Sequence, residues 1–333
     1  MRIAINGFGR IGRIAYRSLR KHDRDIDLVA VNDLTDAETL GYLLERDSVH
    51  GRLEAEVRVR DGKLHVGDDE IEVLSEKDPG RLPWGELGVD VVIESTGRFR
   101  GRDQAARHLA AGARKVIISA PGKDSPDITV VMGVNEGQIS ADHDVISNAS
   151  CTTNCLTPVA KVILDTAGWV HGLMTTTHAY TASQHLLDTP DKDLRRARAG
   201  ALSLIPTTTG AARAAALVLP ELKGLIDGMA IRVPTPNVSL VDLTVEVERG
   251  TSAEALNDAF RQAAEGPLKT ILAVSDEPLV SVDYVSTTES GTVDALSTAV
   301  IDGTLVKVLA WYDNEMGYAT RLVDLADYLR KFL

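Results

Sequence analysis

The spacing of apolar positions changes near residue 150. Before that point, short unbroken apolar runs alternate with amphipathic stretches. Residues 2–6 read as a strand, residues 10–21 repeat apolar positions at helical spacing, and residues 27–32 form a second apolar run. Around Asp61-Gly62, residues 56–60 and 63–66 alternate apolar and polar positions, which predicts a tight hairpin. Further apolar runs at 89–94 and 115–119 flank an alanine-rich helix at 102–111. Strands that are continuously apolar and separated by helices predict a doubly wound parallel sheet covered on both faces.

Beyond residue 150 the pattern predicts a helix at 151–166, a strand at 169–177 and a polar, arginine-rich stretch at 180–201. Long alternating runs follow at 228–233, 238–248 and 305–313, as expected for a large, mostly antiparallel sheet with helices on one side. A last helix at 315–333 is long enough to pack back on the first part. The expected division is α/β at 1–149 and α+β at 150–314, and a length of 333 residues suits two cores of roughly 150 residues each. No repeat, low-complexity segment or flexible linker interrupts the chain.

Composition narrows the function. Hydrophobic residues are 44% and charged residues 25%, ordinary for a globular chain. A net charge of −12 argues against nucleic acid and membrane surfaces, which favour a basic face. No apolar run reaches the ~18 residues needed to span a bilayer. The N-terminal apolar segment breaks at Asn6 and Gly7, too early for a signal-peptide core. The only cysteines are Cys151 and Cys155, which make neither a disulfide framework nor a zinc site, so no metal is expected and a reducing cytoplasm fits.

Gly7-Phe8-Gly9-Arg10-Ile11-Gly12 follows the first strand and opens the first helix. Alone, such a motif is often a glycine-rich turn. Here Asp33 ends the next strand, about 20 residues on, where a carboxylate binds ribose hydroxyls and repels a 2′-phosphate. Gly7, Gly9 and Gly12 would let the backbone approach a pyrophosphate at the helix N-terminus. This context predicts a Rossmann-type unit that binds NAD rather than NADP. Ser95, Thr96, Gly97 and Ser119 lie at later strand ends, where ligands of open α/β sheets sit, although such residues are also ordinary loop formers.

In the segment 147–155 (SNASCTTNC), Cys151 lies where polar residues give way to a helix. Helix N-termini stabilise thiolates, so Cys151 is the candidate nucleophile, with a lowered pKa expected. Cys155, one turn on, reads as a buried apolar thiol. A base is needed, and His178 closes an apolar strand, though position alone does not select it among eight histidines.

Residues 6–13 (NGFGRIGR), 147–155 (SNASCTTNC), 206–211 (PTTTGA), 232–238 (RVPTPNV) and 311–315 (WYDNE) closely resemble the glyceraldehyde-3-phosphate dehydrogenase family over essentially the whole chain. The resemblance implies a phosphorylating enzyme that converts glyceraldehyde 3-phosphate, NAD and inorganic phosphate to 1,3-bisphosphoglycerate, as a cytoplasmic homotetramer. It implies Cys151 as nucleophile and His178 as its base. Thr181 and Arg232 would hold the substrate's own phosphate, while Ser150, Thr152, Thr209 and Gly210, assisted by Arg196, would hold the attacking phosphate. Asn314 and Tyr318 would orient the nicotinamide carboxamide, and Arg10, Ile11, Asp33, Lys77 and Ser119 would complete the NAD site. The chemistry is consistent: an aldehyde has no leaving group, so a thiol must add before hydride can leave, and phosphate then attacks the thioester.

Three positions depart from the family pattern. Ala182-Ser183 stand where many members have Asn-Asp, Met316 where many have Trp, and Thr189 where many have Leu before Pro190. The last lies in the segment that faces a neighbouring subunit's adenosine in the family, and Pro190 with Asp33 still favours NAD. Two other readings compete. An erythrose-4-phosphate dehydrogenase shares the cysteine and cofactor motifs but hydrolyses its thioester, and the run at 207–210 argues against it. A dinucleotide-binding regulator or RNA-binding protein is opposed by retention of Cys151 with His178 and by the negative charge.

Overall fold

In the computed structural model, which describes residues 1–21 and 25–333, the apolar runs of the N-terminal part pair into one nine-stranded sheet. Along the chain come β1 (Arg2–Asn6), α1 (Arg10–Lys21), β2 (Asp27–Asn32), α2 (Ala37–Glu45) and a two-stranded ribbon, β3 (Arg46–Asp47) with β4 (Gly51–Arg52). Then follow β5 (Val57–Arg60), β6 (Lys63–Val66), β7 (Asp69–Leu74), β8 (Val91–Glu94), β9 (Lys115–Ile118), β10 (Ile128–Thr129) and β11 (Val145–Ser147). The spatial order is β10-β11-β9-β8-β1-β2-β7-β6-β5, with parallel pairing from β10 to β7 and an antiparallel hairpin at the far edge. Every residue of β8 and β9 is buried, as continuous apolar runs in a doubly covered sheet require. The hairpin closes in two residues, Asp61 at φ 51° and Gly62 at φ 77°, the positive-φ pair that matches the strands' twist.

The second sheet follows α5 (Cys151–Ala167). It comprises β12 (His171–Ala179), β13 (Ile205–Thr208), β14 (Ile226–Val233), β15 (Ser239–Glu246), β16 (Leu272–Ser275), β17 (Gly291–Asp294), β18 (Ala299–Ile301) and β19 (Leu305–Tyr312), in order β13-β14-β12-β15-β19-β17-β16 with β18 on β19. It is mixed but mostly antiparallel, since only β12 with β14 and β16 with β17 run parallel. Strand β15 alternates buried and half-buried positions along its whole length. Its inward face packs on α5, while α6 (Ala211–Val218) and α7 (Ala253–Glu265) cover the outlying strands β14 and β16. Leu173, Met229 and Ile301, on β12, β14 and β18, remain exposed.

Residues 1–130, 136–149 and 319–333 form one compact unit; residues 131–135 and 150–318 form the other. The last helix, α8 (Met316–Leu329), therefore starts in the second unit and ends in the first. Asp313 Oδ1 accepts the N–H groups of Glu315 and Met316, so the helix starts after Glu315, and a single tight turn, Arg330–Phe332, replaces its expected end.

Two further expectations are corrected. The helix at 102–111 is broken into α3 (Arg102–Ala105) and α4 (Arg107–Ala110), because the turn tightens at Ala106, whose carbonyl takes the N–H of Leu109. The strand placed at 169–177 runs two residues later, so His178 lies inside β12.

Helix α1 presses on the turn before it. A Cβ at Gly12 would lie 2.4 Å from the carbonyl oxygen of Gly7 and 3.1 Å from Ile5. Gly12→Ala should therefore cost roughly 1–3 kcal/mol through overpacking, read as a lower denaturant midpoint at unchanged slope. An unchanged midpoint would show that the turn yields.

Candidate active site

The first unit carries a cavity of about 570 Å³ lined by residues from Asn6 to Phe99. It lies where the strand order reverses, between β1 and β8, at the carboxyl ends of β1, β2 and β8, the place where open α/β sheets bind ligands. Of the expected cofactor residues, Gly7, Gly9, Asp33, Lys77, Ser95 and Thr96 line it together. Gly7 sits at φ +91°, and a Cβ there would strike Thr96 N at 2.6 Å, so only glycine lets the two loops meet. A Cβ at Gly9 would meet nothing within 4 Å. It would project into open space, which fits a backbone that a pyrophosphate approaches closely.

The other expected residues are placed differently. Arg10, Ile11 and Gly12 form the first turn of α1, outside the cavity lining, and the Arg10 guanidinium is held by Asp47 at 2.9 and 3.2 Å. Gly97 follows β8 at φ +70°, and Ser119 donates its N–H to Glu94 O at 2.9 Å. Asn314 and Tyr318 belong to the second unit and are buried. Ser239 Oγ donates to Asn314 Oδ1 at 2.7 Å, which fixes the amide with its NH2 turned away from Ser239.

Sequence reasoning missed what supports this cavity. Asn6, Asn32 and Glu94 end three adjacent strands in one row, and all are buried. Asn32 Nδ2 donates to Asn6 Oδ1 at 2.7 Å, and Asn6 Nδ2 donates to Glu94. His108 Nε2 reaches Glu94 at 3.1 Å, while Trp84 Nε1 donates to His108 Nδ1 at 2.9 Å. A ring that accepts at Nδ1 must carry its proton at Nε2, so His108 is neutral and donates to the carboxylate. The available signal was a polar residue closing each apolar run.

In the second unit, Ser150 caps α5 by accepting the N–H of Thr153, which makes Cys151 the first helical residue. Pairing of β12 with β14 aligns His178 with Arg232. His178 Nε2 then lies 3.5 Å from Cys151 Sγ, and Nδ1 lies 2.7 Å from Ala179 O and 2.8 Å from Arg232 Nη1. This is the separation at which an imidazole can take a thiol proton. Tyr312 stands edge-on to the imidazole at 6.0 Å, and its hydroxyl joins Thr152 and Thr176 at 2.9 and 2.8 Å. Tyr312 and Thr176 are further residues that the sequence did not single out, although Tyr312 lies inside the 311–315 motif.

The expectation of a lowered thiol pKa needs correction. Cys151 keeps partial solvent exposure as a residue, yet burial around its sulfur pushes the thiol above its ordinary value. The Arg232 charge and the Thr152 N–H oppose this without overcoming it. Burial and then Arg232 push His178 down to about 3. Burial thus disfavours the charged form of both groups, because the helix start is enclosed and its nearest cation touches the base.

The anion-binding candidates surround this pair unevenly. Arg196 is near enough for its charge to act on Arg232, whereas Arg198 is held by Asp188 at 2.8 Å. Arg232 shows no carboxylate in ion-pair contact among the described residues, whereas Arg196 lies near enough to Asp191 for its charge to help lower that carboxyl's pKa. Thr209 and Gly210 join β13 to α6, and Thr209 Oγ1 accepts the N–H of Ala211 at 3.2 Å. Thr181 folds back on Ser183 and Gln184 at 3.0 and 3.2 Å. No hydrogen bond joins Thr181, Thr209 or Gly210 to Cys151 among the described residues.

The doubly wound sheet and its cavity define the class, a dinucleotide-dependent oxidoreductase. Residues 1–102 match the glyceraldehyde 3-phosphate dehydrogenase NAD binding domain, and residues 150–314 match the C-terminal domain of the same family. The chain is 62% identical over 330 residues to a glyceraldehyde-3-phosphate dehydrogenase of Geobacillus stearothermophilus, covering 99% of this chain and 98% of that one. It is 58% identical to the enzymes of that name from Priestia megaterium, over 330 residues, and from Bacillus subtilis (number 1), over 332 residues, each match covering 99% of this chain and 98% of the other. The chain belongs to the glyceraldehyde-3-phosphate dehydrogenase family, NAD-dependent oxidoreductases.

Two predictions follow from this geometry. Asp33→Ala should narrow the preference for NAD over NADP, mainly by raising kcat/KM for NADP; a wild type that prefers NADP would contradict the placement of Asp33. His178, neutral when folded and cationic when unfolded, should make stability fall as pH drops from about 6.5 towards about 3, by up to about 1.4 kcal/mol per pH unit. The unfolded chain binds the extra proton in that window, so the sign is loss on acidification. Urea unfolding of wild type and His178→Gln at pH 7 and pH 5, in phosphate-free buffer, should show the smaller acid loss in the variant.

Proposed function

We propose that the chain catalyses the NAD-dependent oxidative phosphorylation of D-glyceraldehyde 3-phosphate to 1,3-bisphosphoglycerate through a thioester on Cys151, a reaction of glycolysis and gluconeogenesis. The observation that carries this reading is Cys151 Sγ at a helix start, 3.5 Å from His178 Nε2, with Arg232 against the same imidazole. Nε2 takes the thiol proton as sulfur adds to the aldehyde carbon, the C=O π pair moves onto oxygen, and the proton passes from Nε2 to that oxygen, giving a thiohemiacetal whose hydroxyl proton returns to Nε2 as the hydride leaves. Bound NAD supplies the hydride acceptor for that carbon, and Cys151 is left acylated. Inorganic phosphate then attacks the acyl carbon, the C–S bond breaks, and the acyl phosphate leaves.

Arg232 and Thr181 hold the phosphate already on the substrate. Ser150, Thr152, Thr209, Gly210 and Arg196 serve the attacking phosphate. The helix start at Gly210 and the Arg232 guanidinium, which has no carboxylate in ion-pair contact among the described residues, support two anion sites, with Arg196 near Arg232. In the first unit NAD is held by Gly7, Gly9, Arg10, Ile11, Gly12, Asp33, Lys77, Ser95, Thr96, Gly97 and Ser119; in the second, Asn314 and Tyr318 serve the nicotinamide carboxamide. The enzyme works in the cytoplasm as a homotetramer, a reading supported by the exposed apolar residues Leu173, Leu186, Leu187, Leu194, Leu202 and Leu204. No helix among the described residues is long and apolar enough to cross a membrane.

Initial rates of NADH formation with and without phosphate test the assignment. Steady-state turnover should require phosphate, whereas a thioester-hydrolysing erythrose-4-phosphate dehydrogenase would turn over without it. Thr209→Ala should keep the first-turnover burst of NADH and raise the KM for phosphate about three- to tenfold, the worth of one hydroxyl hydrogen bond. A variant that loses the burst while its phosphate dependence is unchanged would sink the pocket assignment.

A further inference from the structure

Ser239 opens β15, and its single hydroxyl is shared between two parts of the second unit. Oγ accepts the N–H of Ala179 at 3.1 Å and lies 2.7 Å from Asn314 Oδ1. Register explains the first contact. The ladder between β12 and β15 ends with Thr177 opposite Leu240, so Ser239 Oγ takes an N–H just beyond the paired residues. An amide N–H only donates, which leaves the hydroxyl hydrogen for Asn314. That hydrogen fixes the side-chain amide, with Oδ1 toward Ser239 and Nδ2 turned away. A flipped amide would leave the hydroxyl hydrogen without an acceptor among the described residues.

Asn314 is buried, yet its Nδ2 donates to nothing among the described residues. A donor held in place with no protein acceptor is one presented to a ligand. The backbone beside Ser239 is also strained. Val238, β-branched and buried, sits at φ 66°. Its two neighbours hold consecutive residues: Asn237 Nδ2 donates to Asp313 Oδ2 at 2.8 Å, and Ser239 donates to Asn314. Strain of this kind persists where the surroundings over-determine a conformation, commonly beside a functional site.

We propose that Ser239 is a positioning residue for the nicotinamide: it turns Asn314 so that Nδ2 donates to the carbonyl oxygen of the ring's carboxamide. The proposal rests on the reading of Asn314 as the residue that meets that carboxamide. Without the Ser239 hydrogen bond, the Asn314 amide can present either end, and an Oδ1 facing the carbonyl would repel it. The site therefore selects a hydrogen-bond acceptor on the ring's side group. The same hydroxyl reaches the strand of the base, because Ala179 follows His178 in β12.

Dissociation constants measured by calorimetry on the full chain, with no aldehyde present, read binding rather than turnover. Three ligands are compared: NAD; its thionicotinamide analogue, whose C=S accepts a hydrogen bond poorly; and ADP-ribose, which lacks the ring. Ser239→Ala should weaken NAD about three- to tenfold, the loss expected for one hydrogen bond. It should weaken the analogue less and leave ADP-ribose unchanged. Ser239→Cys, which fills the site with a weaker donor, should shift the same ratios in the same direction and serves where the alanine variant does not fold. Each comparison is a ratio within one preparation, so a partly unfolded sample does not distort it.

Loss of packing alone would weaken NAD and the analogue alike, or weaken ADP-ribose as well. Either result overturns the role of Ser239, as does an unchanged affinity for NAD. Asn314→Ala separates the failures. If it abolishes the preference for NAD over the analogue while Ser239→Ala keeps it, Ser239 does not position the amide and the reading of Asn314 stands. If wild type has no such preference, or Asn314→Ala leaves it intact, the reading of Asn314 fails and the proposal with it.

Discussion

Parallel pairing of β12 with β14 sets His178 opposite Arg232, and the chemistry proposed for Cys151 depends on that register. The side-chain period of a strand is two, so a one-residue slip would bring Thr177 opposite Arg232 and turn His178 to the other face. β12 is also held on its other edge by β15, residue for residue from His171 to Thr177. A strand paired on both sides cannot slide without breaking two ladders. Helix α5 then supplies Cys151 from a capped first turn, so neither partner of the 3.5 Å contact relies on a flexible loop.

The first unit solves a different problem with the same device. Its central strand β1 pairs Asn6 with Asn32 on one side and with Glu94 on the other. An unpaired carboxylate buried there would be costly. Glu94 instead accepts from Asn6, His108, Thr96 N–H and the Thr96 hydroxyl. The same bonds that satisfy the charge tie the loop after β8 to the end of β1. The cavity floor is thus made rigid by polar groups below it, which leaves the glycines above free to follow a ligand's outline.

Much of the fold was legible because strand burial writes itself into the sequence. The runs at 2–6 and 27–32 became β1 and β2, and the alternation around Asp61-Gly62 became a hairpin. What failed was local. Nothing in the run 102–111 announces that His108 turns inward to Trp84 and Glu94, since that bond is made by residues distant in sequence. The expectation of an activated thiol failed for the same reason. A helix start is visible in SNASCTTNC, but enclosure of the sulfur and the position of Arg232 come from β14 and β19, more than fifty residues away. Ser150 and Thr152 could be named as polar neighbours of Cys151, whereas their hydroxyls' present partners, Thr153 and Tyr312, depend on packing.

A net charge of −12 and the proposed affinity for two phosphates are compatible because charge acts locally. Acidic residues neutralise many of the arginines: Arg10 sits on Asp47, Arg198 on Asp188, and Arg261 on Asp258 and Asp276. Arg232 is left without such a partner among the described residues, with Arg196 near enough to disfavour its charge. The surrounding negative field opposes approach from a distance, but it is screened within about 10 Å at ordinary ionic strength. Inside the site the unscreened contacts decide, and there Arg232 has no carboxylate in ion-pair contact among the described residues.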